Sequence, residues 1–310
     1  MSVLVTGGAG YIGSQLIRDL PFSRDFEGRT VKILDNMFRE RYVSIMNLPA
    51  GVKYEFIEGD IRKDEDLKAA FKDVEVVFDL AGITNAPLSF ERKELTMDVN
   101  YEGWKKILTY AIRNGVKFVY ASSASVYGPT EGMVDENFDC KPASPYGETK
   151  LMAERECIKA CEESGLNVTI LRLGTVYGYS IGMRFDTVVD RFTYLACIGM
   201  PLTVWVGAED AKRPYLHVKD AVRGLLFVVT DKRTKGKVYN VVGQNASLGE
   251  IIKIIKKQIP KVKIKKVKVK HLHSLSYMLD NSKIRKLGFE TCYTLEEGIK
   301  GIIDKFKTLL

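Results

Sequence analysis

Long apolar runs are missing from this sequence. No segment approaches the ~20 consecutive apolar residues that a membrane-spanning helix needs. Met1 leads directly into Val3-Leu4-Val5 and a run of glycines. There is no basic n-region, apolar h-region or small-residue cleavage site, so no secretory leader is expected. These absences predict a cytoplasmic protein with no membrane partner. Cysteine is sparse and odd in number: Cys140, Cys157, Cys161, Cys197 and Cys292 are five in 310 residues. An odd count without a leader argues against a disulfide framework. Cys157 and Cys161 could share a helix face, but no His or Cys cluster completes a metal site. They are expected to be packing residues, and no metal is expected. Internal repeats and low-complexity linkers are also absent.

The net charge of +8 is local. Residues 251–270 hold nine lysines and no acid, which leaves the remainder at −1, eight less nine. From Lys261 to Lys270 lysine mostly alternates with Val or Ile, the period of a strand with one apolar and one basic face. Such a strand reads as a sheet edge guarded against aggregation by lysines. The alternative is anion or nucleic-acid binding, which would fall steeply with salt. It lacks the interleaved aromatics that would support it, so no nucleic-acid partner is expected.

What is present is a chain long enough for one large domain or two unequal ones, 45% hydrophobic and 28% charged. Short apolar segments at Val3–Val5, Val31–Leu34, Tyr54–Ile57, Val74–Leu80, Phe118–Ala121 and Val168–Leu171 read as buried strands. Helical patterns separate them. Two clear ones are Tyr101–Arg113, stopped by Asn114-Gly115, and Tyr146–Glu163, stopped by Ser164-Gly165. This βα alternation predicts an α/β fold with a doubly wound parallel Rossmann sheet. After Thr175 the rhythm breaks. Val238–Val242 is expected to rejoin the sheet, and a smaller mixed α/β substrate lobe, including the helical Ser247–Ile259, is expected from the rest. The boundaries are 1-174 and 214-243 for the Rossmann domain, and 175-213 and 244-310 for the lobe.

Gly7, Gly10 and Gly13 follow the first strand and open a helix. Such glycines let backbone approach a pyrophosphate that sits at the helix N-terminus. Asp35, with Asn36 beside it, ends the second strand 22 residues after Gly13. A carboxylate there accepts from ribose hydroxyls and repels a 2′-phosphate, so NAD is expected rather than NADP. Asp60-Ile61 follows the third strand, where adenine would lie. The small residues of Leu80-Ala81-Gly82 follow the fourth, where the cofactor would pass close.

Ser122-Ser123-Ala124-Ser125-Val126-Tyr127-Gly128 closes the fifth strand, at the end of the sheet where ligands bind in this architecture. In Tyr146-Gly147-Glu148-Thr149-Lys150 the i, i+4 spacing puts a phenol and an ammonium on one helix face. A free phenol titrates near ~10, too high for a base at neutral pH. A nearby cation favours the phenolate. Ser123 would hold a substrate oxygen while Tyr146 takes its proton.

These motifs together resemble the extended short-chain dehydrogenases/reductases, within the nucleotide-sugar epimerase/dehydratase group. The resemblance runs nearly end to end. It rests on the Gly7 to Gly13 turn, Asp60-Ile61, Asn100, Ser125-Val126-Tyr127-Gly128, Pro145-Tyr146-Gly147 with Lys150, and Leu171-Arg172. It continues with Arg213-Pro214-Tyr215-Leu216-His217-Val218 with Asp220, and Lys286-Leu287-Gly288-Phe289. The resemblance implies that Tyr11 and Ile12 lie against the pyrophosphate and that Asn100 supports the site. Ser123, Tyr146 and Lys150 would be the catalytic trio, and Arg213 would reach the diphosphate or its ribose. Thr84, Thr175 and Arg184 are further substrate-side candidates. Arg184 would bind a phosphate or a sugar acid, or else make a structural contact with Asp186.

The resemblance also implies a nucleotide-diphosphate sugar as substrate, NAD as cofactor, and a homodimer formed through helices 101–113 and 146–163. Ile107, Ala111, Leu151 and Ile158 would sit on core or dimer faces. Family dehydratases carry Asp-Glu where this chain has Ala124-Ser125, so dehydration is disfavoured. The expected reaction is 4-epimerisation: oxidation at sugar C4 to a keto intermediate, then return of hydride to the opposite face. A 4-reductase, a decarboxylase and a non-catalytic NAD-binding protein are the alternatives. Several departures loosen the substrate assignment. Asp79 stands where the family often has His. Thr175 stands where it has Asn, and Gly174 where bulkier residues are common. The C-terminal Arg-Pro-Gly-Asp is not evident; Lys270, His271 and His273 fall near its place.

Overall fold

The computed structural model describes residues 2–130, 132–268 and 276–309; Lys270, His271 and His273 lie outside them. Seven strands form one parallel sheet. From edge to edge they are Lys237–Val241, Asn167–Leu173, Lys117–Ser123, Val74–Asp79, Ser2–Thr6, Thr30–Asp35 and Tyr54–Glu58. The strands are apolar because both faces are covered. Val3, Val5, Val31 and Ile33 pack on one side with Leu16, Ile17, Val222 and Leu225. Leu4, Leu34 and Val77 pack on the other with Ile107, Ala111 and Ala153. All six strand segments expected in the first half form, and the expected return strand runs Lys237–Val241. Strand order reverses between Ser2–Thr6 and Val74–Asp79. The crevice beyond their carboxyl ends is therefore the switch point where ligands bind.

The helix Pro145–Ser164 starts on Ser144, whose hydroxyl accepts from Gly147 N at 3.1 Å. It ends on Gly165 at φ 71°. The segment expected to be helical from Tyr101 is more elaborate. An α-turn at Lys93–Met97 widens into a π-helical stretch, Asp98–Gly103, before the α-helix Trp104–Asn114. The wide turn is where Asn100 sits. Ile107 and Ala111 are fully buried in the core, and Leu151 is buried too.

Beyond the sheet, Thr175–Tyr177, Lys212–His217 and Gln244–Ser247 make a three-stranded sheet. The helices Val188–Cys197, Leu248–Gln258 and Leu295–Phe306 share a separate apolar core that includes Ile251, Ile255 and Ile299. Ser247 caps the second of these with a reciprocal Glu250 contact. Part of the lysine-rich stretch forms the strand Ile264–Val267, paired in parallel with Leu202–Trp205; Lys265 and Lys266 are exposed. Cys157 is fully buried among core residues. Among the described residues no helix is long and apolar enough to cross a membrane.

Candidate active site

At the switch point the glycine turn is pressed against the turn after the fourth strand. Gly7 has φ +64°, and a Cβ there would lie 2.8 Å from Leu80 O and Ala81 N. A Cβ on Gly13 would collide with Gly7 O. The helix Tyr11–Asp19 begins on Gly10, and among the described residues no side chain caps it. Its first amides are left for an anion. Asp35 accepts from Ala9 N and Met37 N, each at 3.0 Å, which fixes the carboxylate at the strand end. Burial pushes its pKa up, and those two amides oppose the shift.

Asp60 is gripped by Arg62 Nε at 3.0 Å and Nη2 at 2.7 Å, and by Asn36 Nδ2 at 3.3 Å. The hydrogen bonds from Arg62 hold its carboxyl at about 2. Ile61 is buried beside it. Leu80 N and Ala81 N both donate to Thr6 Oγ1 at 3.3 Å. Asn100 clamps Ile83, accepting from its N at 2.7 Å and donating to its O at 2.8 Å. Gly82, at φ +151°, leaves room for the Asn100 amide. This cradle, closed to a Cβ and open to backbone approach, fits a dinucleotide. Tyr11 adds its backbone amide to the turn, while its hydroxyl is committed to Gly178 O and Asp190.

Ser123 is the last residue of its strand. Its Oγ accepts from Ser125 N and donates to Ser125 Oγ, both at 3.2 Å. This turn rests on the start of the Tyr146 helix: a Cβ at Gly147 would lie 2.6 Å from Ser125 O. Tyr146 N donates to Ser89 Oγ at 3.2 Å. Lys150 Nζ donates to Ala121 O at 2.8 Å and lies 4.7 Å from the Tyr120 ring centroid. Both side chains are buried. The same helix face continues to Glu154, whose carboxylate binds Arg172 and Ser122. Asp79, where the family often has His, is buried and accepts from Thr6 Oγ1. Burial pushes its carboxyl up, opposed by Thr6 and by the Lys150 charge.

Beyond the clamped Ile83, Arg184 donates to Thr84 Oγ1 and pairs with Asp186 at 3.1 Å. Asn85 Nδ2 reaches Asp186 Oδ2 at 3.2 Å, so the two loops are joined. The Arg184–Asp186 structural contact is therefore present. Thr175 begins a short strand and pairs with Tyr215, whereas Arg213 lies elsewhere in that sheet, over the Tyr277 ring at 5.3 Å. Burial raises the Tyr277 phenol, Arg213 opposes this, and the nearby Tyr146 adds to it. Sequence reasoning missed Tyr277, Asn85, Asp190 and the Glu154–Ser122 contact. Only Glu154 had a signal, one further i+4 step beyond Lys150.

The NAD dependent epimerase/dehydratase family matches residues 3–242. A putative UDP-glucose 4-epimerase of Methanocaldococcus jannaschii is 32% identical, covering 98% of both chains. A dTDP-D-glucose 4,6-dehydratase of Mus musculus is 30% identical, covering 98% of this chain and 88% of that one. The crystal structure of a UDP-glucuronic acid 4-epimerase from Bacillus cereus, in complex with UDP-glucuronic acid and NAD, superposes with a TM-score of 0.89. It is 28% identical and covered over 100% of both chains. The chain belongs to the NAD-dependent epimerase/dehydratase family of extended short-chain dehydrogenases/reductases, nucleotide-sugar-modifying enzymes that take NAD as cofactor.

Proposed function

We propose that this protein is a nucleotide-sugar 4-epimerase. The observation that carries the reading is the pairing of an intact Ser123–Tyr146–Lys150 set with Ala124-Ser125 beside it. The set provides what alcohol oxidation and ketone reduction need. Neither Ala124 nor Ser125 provides the carboxylates that elimination of water needs. Gly7, Gly10, Tyr11, Ile12, Gly13, Asp35, Asn36, Asp60, Ile61, Leu80, Ala81, Gly82 and Asn100 hold NAD, with Tyr146 and Lys150 at its reactive end.

Bound NAD supplies reversible acceptance of hydride from sugar C4. Ser123 holds the C4 oxygen. Tyr146 takes the hydroxyl proton on oxidation and gives it back on reduction. Lys150, one turn on along the same helix face, is the third member of the set. Thr84, Thr175, Arg184 and Arg213 bind the nucleotide-diphosphate sugar. The fork of Arg213, stacked on Tyr277, suits a phosphate. Residues 1-174 and 214-243 form the cofactor domain, and 175-213 and 244-310 the substrate lobe. The working unit is a cytoplasmic homodimer, with a light-scattering mass about twice 34.9 kDa.

The test is nuclear magnetic resonance of purified enzyme with UDP-glucose and with UDP-glucuronic acid. Each sugar converts to its C4 epimer without net NADH. One-for-one accumulation of NADH with product would overturn the reading. A sugar acid is the second reading within the same chemistry. It is suggested by the likeness to the UDP-glucuronic acid 4-epimerase of Bacillus cereus, and it requires Arg184 to exchange its Asp186 partner for the sugar carboxylate. It predicts faster turnover of the glucuronic acid nucleotide, lost in Arg184→Met.

A further inference from the structure

The loop after Thr175–Tyr177 is laced onto the first turn of the cofactor helix. Ser180 Oγ donates to Tyr11 O at 2.9 Å, and Gly182 N donates to Ser14 Oγ at 3.0 Å. The approach is so close that a Cβ at Gly182 would lie 2.6 Å from Gly10 O. At the centre of this junction Tyr11 Oη meets two acceptors, Gly178 O and Asp190 Oδ2, the latter at 2.9 Å. Asp190 also accepts from Gly178 N at 3.0 Å and Thr187 Oγ1 at 3.1 Å.

A phenol carries one proton. Facing an ionised Asp190, Tyr11 can serve the carboxylate or Gly178 O, but not both. A neutral acid removes the conflict. Its proton goes from Oδ2 to Tyr11 Oη, and the phenol proton goes to Gly178 O, while Thr187 still finds a lone pair on Oδ2.

We propose that Asp190, held as the neutral acid, is a positioning residue that ties the NAD-binding turn to the substrate-side loop carrying Arg184. Ionisation breaks one of the two Tyr11 contacts and loosens that tie. Burial pushes this carboxyl up to about 7, against the hydrogen bonds from Gly178, Tyr11 and Thr187 and the charge of Arg184. The titratable or charged groups facing it are Tyr11 from the cofactor helix, Tyr177 from the preceding strand and Arg184 from the loop. The helices packed on its own helix present Ile252, Ile255, Ile299 and Ile303.

The inference goes beyond the epimerase reading and needs only NAD binding, so it stands or falls separately. NAD is titrated calorimetrically into the cofactor-free full chain at pH 6 to 9. In the native protein affinity falls up to about tenfold across this range, the worth of one hydrogen bond. Asp190→Asn, whose amide donates to Tyr11 Oη as the acid does, stays tight and flat within about twofold over the same range. Tyr11→Phe is flat and as weak at pH 6 as the native protein at pH 9. A native profile that is flat, or an Asp190→Asn profile that keeps the native slope, overturns the proposal. If Asp190→Asn does not fold, a native slope in Tyr11→Phe overturns it instead.

Discussion

Removing the Glu154 carboxylate should unsettle both the fold and the chemistry, because it leaves a buried guanidinium without its partner. The Glu154 and Arg172 side chains are 4% and 7% exposed. Arg172 donates to Glu154 through Nε at 3.1 Å and Nη2 at 2.7 Å, and through Nη1 to Tyr127 Oη at 3.0 Å. Breaking such a pair from one side costs about 3–5 kcal/mol. With an unfolding entropy of about 2.1 cal/mol/K per residue over 310 residues, that corresponds to a fall in Tm of roughly 5–8 °C. The assay is calorimetric melting of Glu154→Ala, Arg172→Met and the double variant Glu154→Leu with Arg172→Met. The double variant has no orphaned charge, so its loss should be well below the sum of the singles, with a coupling of at least ~2 kcal/mol. A Glu154→Ala loss under about 1 kcal/mol, or strict additivity in the double variant, would refute the reasoning.

The remaining predictions concern the site and its pH dependence. Tyr146→Phe should lower kcat about 10²- to 10⁴-fold with intact NAD binding; unchanged turnover of every nucleotide sugar tried would end the enzyme reading. Gly7→Ala should cost about 1–3 kcal/mol and weaken NAD binding, because its φ of +64° and the 2.8 Å approach to Leu80 O exclude a side chain; native affinity would contradict the cradle geometry. Burial pushes the His217 imidazole down to about 4, so between pH 6.5 and 4 the unfolded chain binds a proton that the native one refuses. The His217 contribution to stability should therefore fall by about 3 kcal/mol as pH drops through that window. Asp190 acts in the opposite sense, since the native state keeps a proton the unfolded chain has lost, and its contribution falls as pH rises from about 4 to about 7. Urea titrations of native protein and His217→Gln separate the two; equal slopes below pH 6.5 would disprove the histidine assignment.

The parts of this molecule legible in the sequence are those whose cause is local or periodic. Val3–Val5 and Val31–Leu34 read as strands because helices cover both faces, leaving no polar alternation to blur them. Gly7, Gly13 and the Tyr146–Lys150 spacing are legible because backbone approach and helix pitch constrain residue type at fixed offsets. The π-helical stretch around Asn100 was not legible. Asn100 within it clamps Ile83, 17 residues away, and nothing in its own composition departs from an α-helix. Tyr11 illustrates the same limit. The motif marked its place beside the phosphate turn, but its hydroxyl answers to Asp190, 179 positions along the chain. Arg213 and Tyr277 come together because Tyr277 N donates to Lys212 O at 3.0 Å, laying a distant segment beside that strand.

On the proposed mechanism, catalysis and stability are joined along the helix Pro145–Ser164. Tyr146, Lys150 and Glu154 recur at i, i+4 and i+8, so one face carries all three toward the sheet. Tyr146 lies in the first turn, so the proposed proton transfer needs that turn seated against Ser123, and two contacts bear on it. Gly147 allows the close approach to Ser125 O, and the Glu154–Arg172 pair ties the helix to the strand Asn167–Leu173. A side chain at 147 should therefore lower kcat while the fold survives, since the Ser125 turn is displaced at the site itself. Loss of Glu154 should lower both. If Gly147→Ala kept native kcat, the seating of the Ser123 turn on this helix would not be what aligns the proton transfer.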